Sequence, residues 1–268
     1  MKNSKTKILA VANQKGGVAK TTSVINIGAG LALKGKNVLL VDMDNQAHLS
    51  RFLGYEKSDG KLTTSDLIWQ TVSKNGYTIE NAVRHSDTEQ LDYIPSDHRL
   101  AGIISIIGTD NDSTTVLSRL FSESFFEKYD YIVIDCPAIL DLLVSNILNA
   151  CDQLLIPVQS EMWSYEAVEQ ILITMQRAKQ TIDIKPYVLG ILVTMFNRRT
   201  NSSKSILEAV YNSYGEDMVL KTQIFSREEV RLMPIKKQSL VGKKNSVAGQ
   251  QYMEVVEEII RRAEQNNG

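Results

Sequence analysis

One lysine, one threonine and three aspartates carry the chemistry legible in this sequence: Lys20, Thr21, Asp42, Asp44 and Asp135. The first two stand in residues 13–22, which read Asn-Gln-Lys-Gly-Gly-Val-Ala-Lys-Thr-Thr. A glycine-containing loop between a strand and a helix turns backbone N–H groups toward one point, where the helix dipole favours an anion. Lys20 adds a full positive charge suited to β- and γ-phosphates, and the Thr21 hydroxyl is the expected Mg²⁺ ligand. Asp42 and Asp44 follow a second apolar run; two residues apart at a strand end, they would point the same way. Asp135 closes a third run, from which a carboxylate reaches Mg²⁺, usually through water. Each signal has a plainer alternative: a Gly-rich turn need bind nothing, and strand-end carboxylates are often merely solvated. Taken together they specify a nucleotide–magnesium site.

The elements that must hold these residues follow from apolar periodicity. Residues 8–12 form a run too short for a buried helix and suited to a central strand. Residues 21–33 are helix-like, with Val24, Ile25, Ile27, Leu31 and Leu33 apolar, and stop at Lys34-Gly35-Lys36. Further strands are expected at 37–41, 91–95, 131–134, 153–158 and 187–195. Helices are expected at 62–72, capped near Thr63, and at 165–180, with Val168, Ile171, Leu172 and Met175 inward. A last helix over 250–265 sets Met253, Val256, Ile260 and Ala263 against Glu254, Glu257, Glu258 and Glu264. Strands alternating with helices give an α/β fold: one domain over residues 1–268, a mostly parallel twisted sheet with helices on both faces.

Composition bounds the function. A chain of 268 residues, 43% hydrophobic, can build one large α/β domain, and its formal charge of −1 excludes a polycation. Cys136 and Cys151 give neither metal spacing nor a disulfide framework, which fits a reducing cytoplasm. His48, His85 and His98 show no ligand spacing. No run approaches the roughly 18 apolar residues of a membrane span, and the basic N-terminus lacks a signal peptide's apolar core.

Against the strict pattern G-x-x-x-x-G-K-[ST] the loop departs twice, with Gln14 and Ala19 where glycines belong. Lys15-Gly16-Gly17-Val18-Ala19-Lys20-Thr21-Thr22 resembles instead the deviant Walker A motif K-G-G-x-G-K-[ST] of the ParA/MinD superfamily, from which only Ala19 departs. A methyl group there would crowd the phosphates, or sit harmlessly if the backbone is near-helical. The resemblance runs from Lys7 to about Ile260 and is nearest to ParA/Soj-type partition ATPases. It implies a P-loop NTPase fold and ATP with Mg²⁺, and residues 15–22 around the phosphates. It further implies that Lys15 reaches the partner subunit's nucleotide, that Asp42 and Asp135 support the Mg²⁺ shell with Thr21, and that Asp44 orients the attacking water. Asn45 replaces the proline of the family's D-x-D-P-Q. Cys136-Pro137-Ala138 follows Asp135 where the family tends to D-x-P-P, and Pro157-Val158-Gln159-Ser160-Glu161 resembles its P-x-Q-x-E. Asn197 is the candidate for adenine recognition; a turn-forming asparagine is the competing reading.

Charge is unevenly spread. Residues 185–244 hold eleven Lys/Arg and five Asp/Glu, a net +6, against −5 before and −2 after. Arg198, Arg199, Arg227, Arg231, Lys236, Lys237, Lys243 and Lys244 are the candidate contacts to DNA phosphates, solvated surface charge being the alternative. The resemblance implies an ATP-bound homodimer on non-specific double-stranded DNA, nucleoid-associated, with hydrolysis stimulated by a ParB-type centromere-binding protein. The rivals are a MinD-like membrane-associated ATPase and an ATP-dependent metabolic ligase. The glutamates of the last helix make a poor membrane anchor, so no membrane partner is expected. No motif for a ligase substrate pocket is present.

Overall fold

The computed structural model describes residues 6–55, 59–74, 76, 78–160 and 164–265. Seven strands form one sheet: β1 (Lys7–Val11), β2 (Val38–Asp42), β3 (Arg84–Ser86), β4 (Leu91–Ile94), β5 (Tyr131–Asp135), β6 (Gln153–Gln159) and β7 (Val188–Thr194). The six strands expected from apolar runs lie within a residue or so of those bounds. The seventh, β3, is a three-residue edge strand reading Arg-His-Ser, too short and polar to announce itself. The sheet order is β3-β4-β2-β5-β1-β6-β7. Only β3–β4 is antiparallel; the other five pairings are parallel. Parallel strands covered on both faces read as continuous apolar runs, and VLGILVT of β7 is buried at all seven positions.

The helices are α1 (Lys20–Leu33), α2 (His48–Phe52), α3 (Thr64–Ser73), α4 (Ile103–Ile107), α5 (Val116–Phe121), α6 (Leu142–Ala150), α7 (Ser164–Lys179), α8 (Asn201–Tyr214), α9 (Glu228–Lys236) and α10 (Val247–Gln265). Side chains of β1 divide between two cores: Ala10 packs with residues of α3 to α8, whereas Leu9 and Val11 pack with α1, α2, α9 and α10. On the second face α1 lies close to the sheet and to α10 because two glycines permit it. A Cβ on Gly28 would fall 2.6 Å from a Leu40 methyl, and one on Gly30 would fall 2.8 Å from a Val256 methyl.

Three details depart from the periodic reading. Leu33 is 60% exposed, since α1 ends beyond the sheet. The buried stripe of α10 runs through Tyr252, Val255, Val256 and Ile259, with Met253 and Ile260 at its margin. Glu258 is buried rather than on the polar face: it accepts from the Lys221 amide at 3.1 Å and from Arg262 at 2.7 Å. A carboxylate with a guanidinium and an amide donor is satisfied in that position, so the helix tolerates it inside.

Candidate nucleotide site

The phosphate loop leaves β1 at Val11 and enters α1 at Lys20, between the ends of β5 and β6. Two buried residues absent from the sequence-based site anchor it. Asn13 donates from Nδ2 to the Pro157 carbonyl at 2.7 Å and accepts from the Lys15 amide at 2.9 Å. The Thr194 hydroxyl, at the end of β7, shares its proton between the carbonyls of Val18 and Val158, each 3.1 Å away. Asparagine just before the loop is the only local signal; nothing in the sequence joins Thr194 to Val18. A Cβ on Gly16 or Gly17 would meet no atom within 4 Å, so the loop backbone borders open space, and Gly17 takes φ +79°.

Ala19 resolves its two alternatives. Its backbone is left-handed, φ 67° and ψ 32°, at the N-cap of α1, and its carbonyl accepts from the Ser23 amide at 2.9 Å. The backbone is therefore not right-handed helical, and alanine bears a strain of about 1–2 kcal/mol that glycine would avoid. The lysine that follows is 9% exposed, and Nζ donates to the Lys15 carbonyl at 3.2 Å. Burial lowers the Lys20 pKa, while the Asp135 carboxylate acts in the opposite direction.

The acidic half of the site is assembled by sheet register. Asp42 and Asp135 are cross-strand partners at the ends of β2 and β5, and Asp135 also pairs with Val11, where the phosphate loop departs. Asp42 accepts from the Ser50 amide at 2.9 Å, the Ser50 hydroxyl at 2.6 Å and the Asp44 amide at 3.0 Å. Asp44 lies past the strand, so strand alternation does not set its direction. Half-buried in the turn, it accepts from the Gln46 amide at 2.9 Å. Burial raises the pKa of both Asp42 and Asp135; for Asp135 the Asp42 charge adds to the effect, and the Thr21 hydroxyl and Lys20 oppose it.

These groups fit Mg²⁺. Apart from the nearby Thr21 hydroxyl, both Asp135 carboxylate oxygens are buried without a hydrogen-bond partner among the described residues, an arrangement that burial makes costly unless a cation or its water shell meets them. The donors are hard oxygens from Thr21, Asp42 and Asp135, the kind Mg²⁺ takes. Among the described residues no three His, Cys, Asp or Glu side chains gather into a metal cage. Mg²⁺ needs none, because it retains waters and substrate phosphates as ligands.

The basic residues do not form one uniform surface. Arg198 stacks its guanidinium 4.0 Å from the centre of the Phe225 ring. Arg227 and Arg231 line a cavity of about 50 Å³ together with Ala19, Thr194 and Phe225, which places them beside the phosphate loop rather than apart from it. Lys237 borders a 450 Å³ cavity with Thr21 and Thr22, and also a 1010 Å³ cleft beside Asn45 and Gln46. Arg199, Lys236 and Lys244 are exposed and Lys243 is half-buried, none of them lining these cavities. Asn197 is exposed, and its side-chain Oδ1 accepts from the Arg199 amide at 3.0 Å, the hydrogen bond of a turn-forming asparagine. Glu161 lies outside the described residues.

The chain resembles known proteins over most of its length. A family model of the AAA domain (AAA_31) matches residues 6–187. Soj of Bacillus subtilis, described as a sporulation initiation inhibitor protein, is 38% identical over 81% of this chain and 83% of its own length. The chromosome partitioning protein ParA of Caulobacter vibrioides is 31% identical over 96% of this chain and 94% of its own. The chain belongs to the ParA/Soj family of ATPases. Cobyrinic acid a,c-diamide synthase of Mycobacterium smegmatis, solved with ADP and magnesium, superposes with a TM-score of 0.80. It is 29% identical, covering 97% of this chain and 96% of the synthase. Among the described residues no helix is long and apolar enough to cross a membrane.

Proposed function

We propose that this chain is an ATP-dependent DNA partition ATPase that works as a nucleotide-bound homodimer. Two subunits sandwich their ATP and Mg²⁺, Lys15 of each reaching the other's phosphates. The dimer binds double-stranded DNA without sequence preference, and hydrolysis, stimulated by a ParB-type centromere-binding protein, releases it. The ATP form is nucleoid-associated in the cytoplasm. What supports the partition reading is the likeness to Caulobacter ParA over 96% of this chain, a span that takes in the basic segment 185–244.

Within the site, the loop amides and Lys20 hold the phosphates, and Thr21, Asp42 and Asp135 would hold the metal, which when bound neutralises phosphate charge. Asp44 stands where a half-buried carboxylate can orient water for in-line attack, the positioning task phosphoryl transfer leaves to the protein. Asn197 is proposed for the adenine side. For DNA, the geometry favours Arg199, Lys236, Lys243 and Lys244, since Arg227, Arg231 and Lys237 border the phosphate loop.

The test is DNA binding with ATP, ADP and no nucleotide across a salt series. Each phosphate contact contributes about −0.9 to the slope of log affinity against log salt, so an ATP dimer should give a steep slope. Replacing Lys243 and Lys244 by alanine should flatten it on any sequence while leaving basal hydrolysis intact. Absence of DNA binding in every nucleotide state, with lipid vesicles recruiting the ATP form, would favour the MinD-like alternative. The synthase likeness and the 1010 Å³ cleft favour one second reading, an ATP-dependent metabolic synthase. ATP turnover that responds to a cobyrinic acid substrate and not to DNA would select it.

A further inference from the structure

Among the three acidic residues of the site, Asp42 has its carboxylate gripped by two hydrogen bonds from outside its own turn. Ser50, buried in α2, gives it two hydrogen bonds, both to Oδ2: the amide at 2.9 Å and the hydroxyl at 2.6 Å. The hydroxyl's direction is fixed by a third residue. The Ser96 amide, just past β4 and equally buried, donates to Ser50 Oγ at 2.9 Å. An amide can only donate, so Ser50 Oγ accepts there and its one proton is left for Asp42. The Ser96 hydroxyl donates to the Asp97 carbonyl at 3.5 Å, and the Asp97 carboxylate takes hydrogen bonds from Thr63, Ser65 and Arg99. Oδ2 of Asp42 is thereby saturated, while among the described residues Oδ1 accepts only from the Asp44 amide and keeps one acceptor position.

We propose that Ser50 is the positioning residue of the magnesium site: through its two hydrogen bonds to Oδ2 it turns Asp42 so that Oδ1 is presented to the metal shell. The proposal rests on the reading that Asp42 supports Mg²⁺. Groups that hydrogen-bond a metal-binding carboxylate fix its orientation, and their loss costs about 10- to 100-fold in metal affinity.

The experiment measures binding of a fluorescent ATP analogue to the full chain, titrated with Mg²⁺ at fixed pH and repeated in EDTA. Ser50→Ala should need about 10- to 100-fold more Mg²⁺ for half its effect on affinity, with affinity in EDTA unchanged. The Ser50→Ala/Asp42→Asn double variant should match Asp42→Asn alone, because a residue acting through Asp42 has nothing left to act on. Ser50→Cys, which keeps a weaker donor of similar shape, should shift in the same direction and serves if alanine does not fold. A wild-type Mg²⁺ requirement in the Ser50 variants beside a shifted Asp42→Asn overturns the role of Ser50 and leaves that of Asp42 standing. A wild-type requirement in Asp42→Asn as well removes both. Affinity reduced equally with and without Mg²⁺, or a double variant worse than Asp42→Asn, makes Ser50 a structural residue only.

Discussion

Asp135 should stabilise the nucleotide complex at the expense of the free protein, and Asp135→Asn separates the two effects. The carboxylate is 1% exposed, its oxygens have no hydrogen-bond partner among the described residues beyond the nearby Thr21 hydroxyl, and its cross-strand partner Asp42 is another buried carboxylate. The folded protein can always relieve this by taking up a proton. With an unfolded value of 3.8, that caps the cost at about 4 kcal/mol near neutral pH. Asparagine removes the charge but leaves an amide with unmet hydrogen bonds, which costs about 1–3 kcal/mol. The net gain is about 2 kcal/mol, or about 4 °C in Tm for a chain of this size. Its pH dependence has a definite sign. The folded pKa lies above the unfolded one, so between the two values the folded state binds more protons. The stability of the free wild-type protein therefore rises as pH falls through the raised folded value toward the unfolded one, and the variant loses that part of the slope. Thermal melts in EDTA, repeated with Mg²⁺ and ATP, read both effects. Asp135→Asn should melt higher than wild type in EDTA and gain little from Mg²⁺-ATP. A lower melting temperature in EDTA, or an undiminished gain from Mg²⁺-ATP, would refute the reasoning.

Three further outcomes follow from the same geometry. Lys20→Ala removes the buried ammonium beside the loop and should weaken ATP binding roughly 10- to 100-fold, the worth of a hydrogen bond to a charged group; calorimetric titration measures it, and wild-type affinity would remove the phosphate-loop assignment. Asp44→Ala should bind ATP normally yet hydrolyse it slowly in single-turnover assays, and a wild-type rate would exclude Asp44 from positioning the water. Arg99→Ala should cost about 1 kcal/mol near neutral pH, a modest figure because the side chain is half exposed. Burial pushes Asp66 and Asp97 upward, but hydrogen bonds from Arg99 and Thr63 outweigh it and hold both below their usual range. That stabilisation is present above the unfolded value and is lost as pH falls through the folded one. The variant's deficit in urea melts should therefore shrink as pH falls below the usual carboxylate range, and a deficit independent of pH would count against the network.

Local signals were enough for much of this protein. Apolar runs marked six of seven strands, because parallel strands buried on both faces have no polar positions to interrupt them. Residues 13–22 announced a phosphate loop from their own chemistry, and Asp42 and Asp135 were visible as carboxylates closing buried runs. Only the tertiary structure decided what those residues meet. β2 and β5 lie far apart in sequence, yet their pairing sets Asp42 beside Asp135 and turns two ordinary strand ends into one pair of buried carboxylates. Thr194 anchors Val18 across 176 residues of sequence, and Ser50 holds Asp42 from a five-residue helix with no motif of its own. Arg227 and Arg231, indistinguishable in sequence from Lys243 and Lys244, are set against Ala19 by α9. The φ of Ala19 and the burial of Glu258 were likewise invisible. A residue type fixes which interactions are possible, but the partners, and the cost of being without one, are fixed by which distant segments the sheet order brings together.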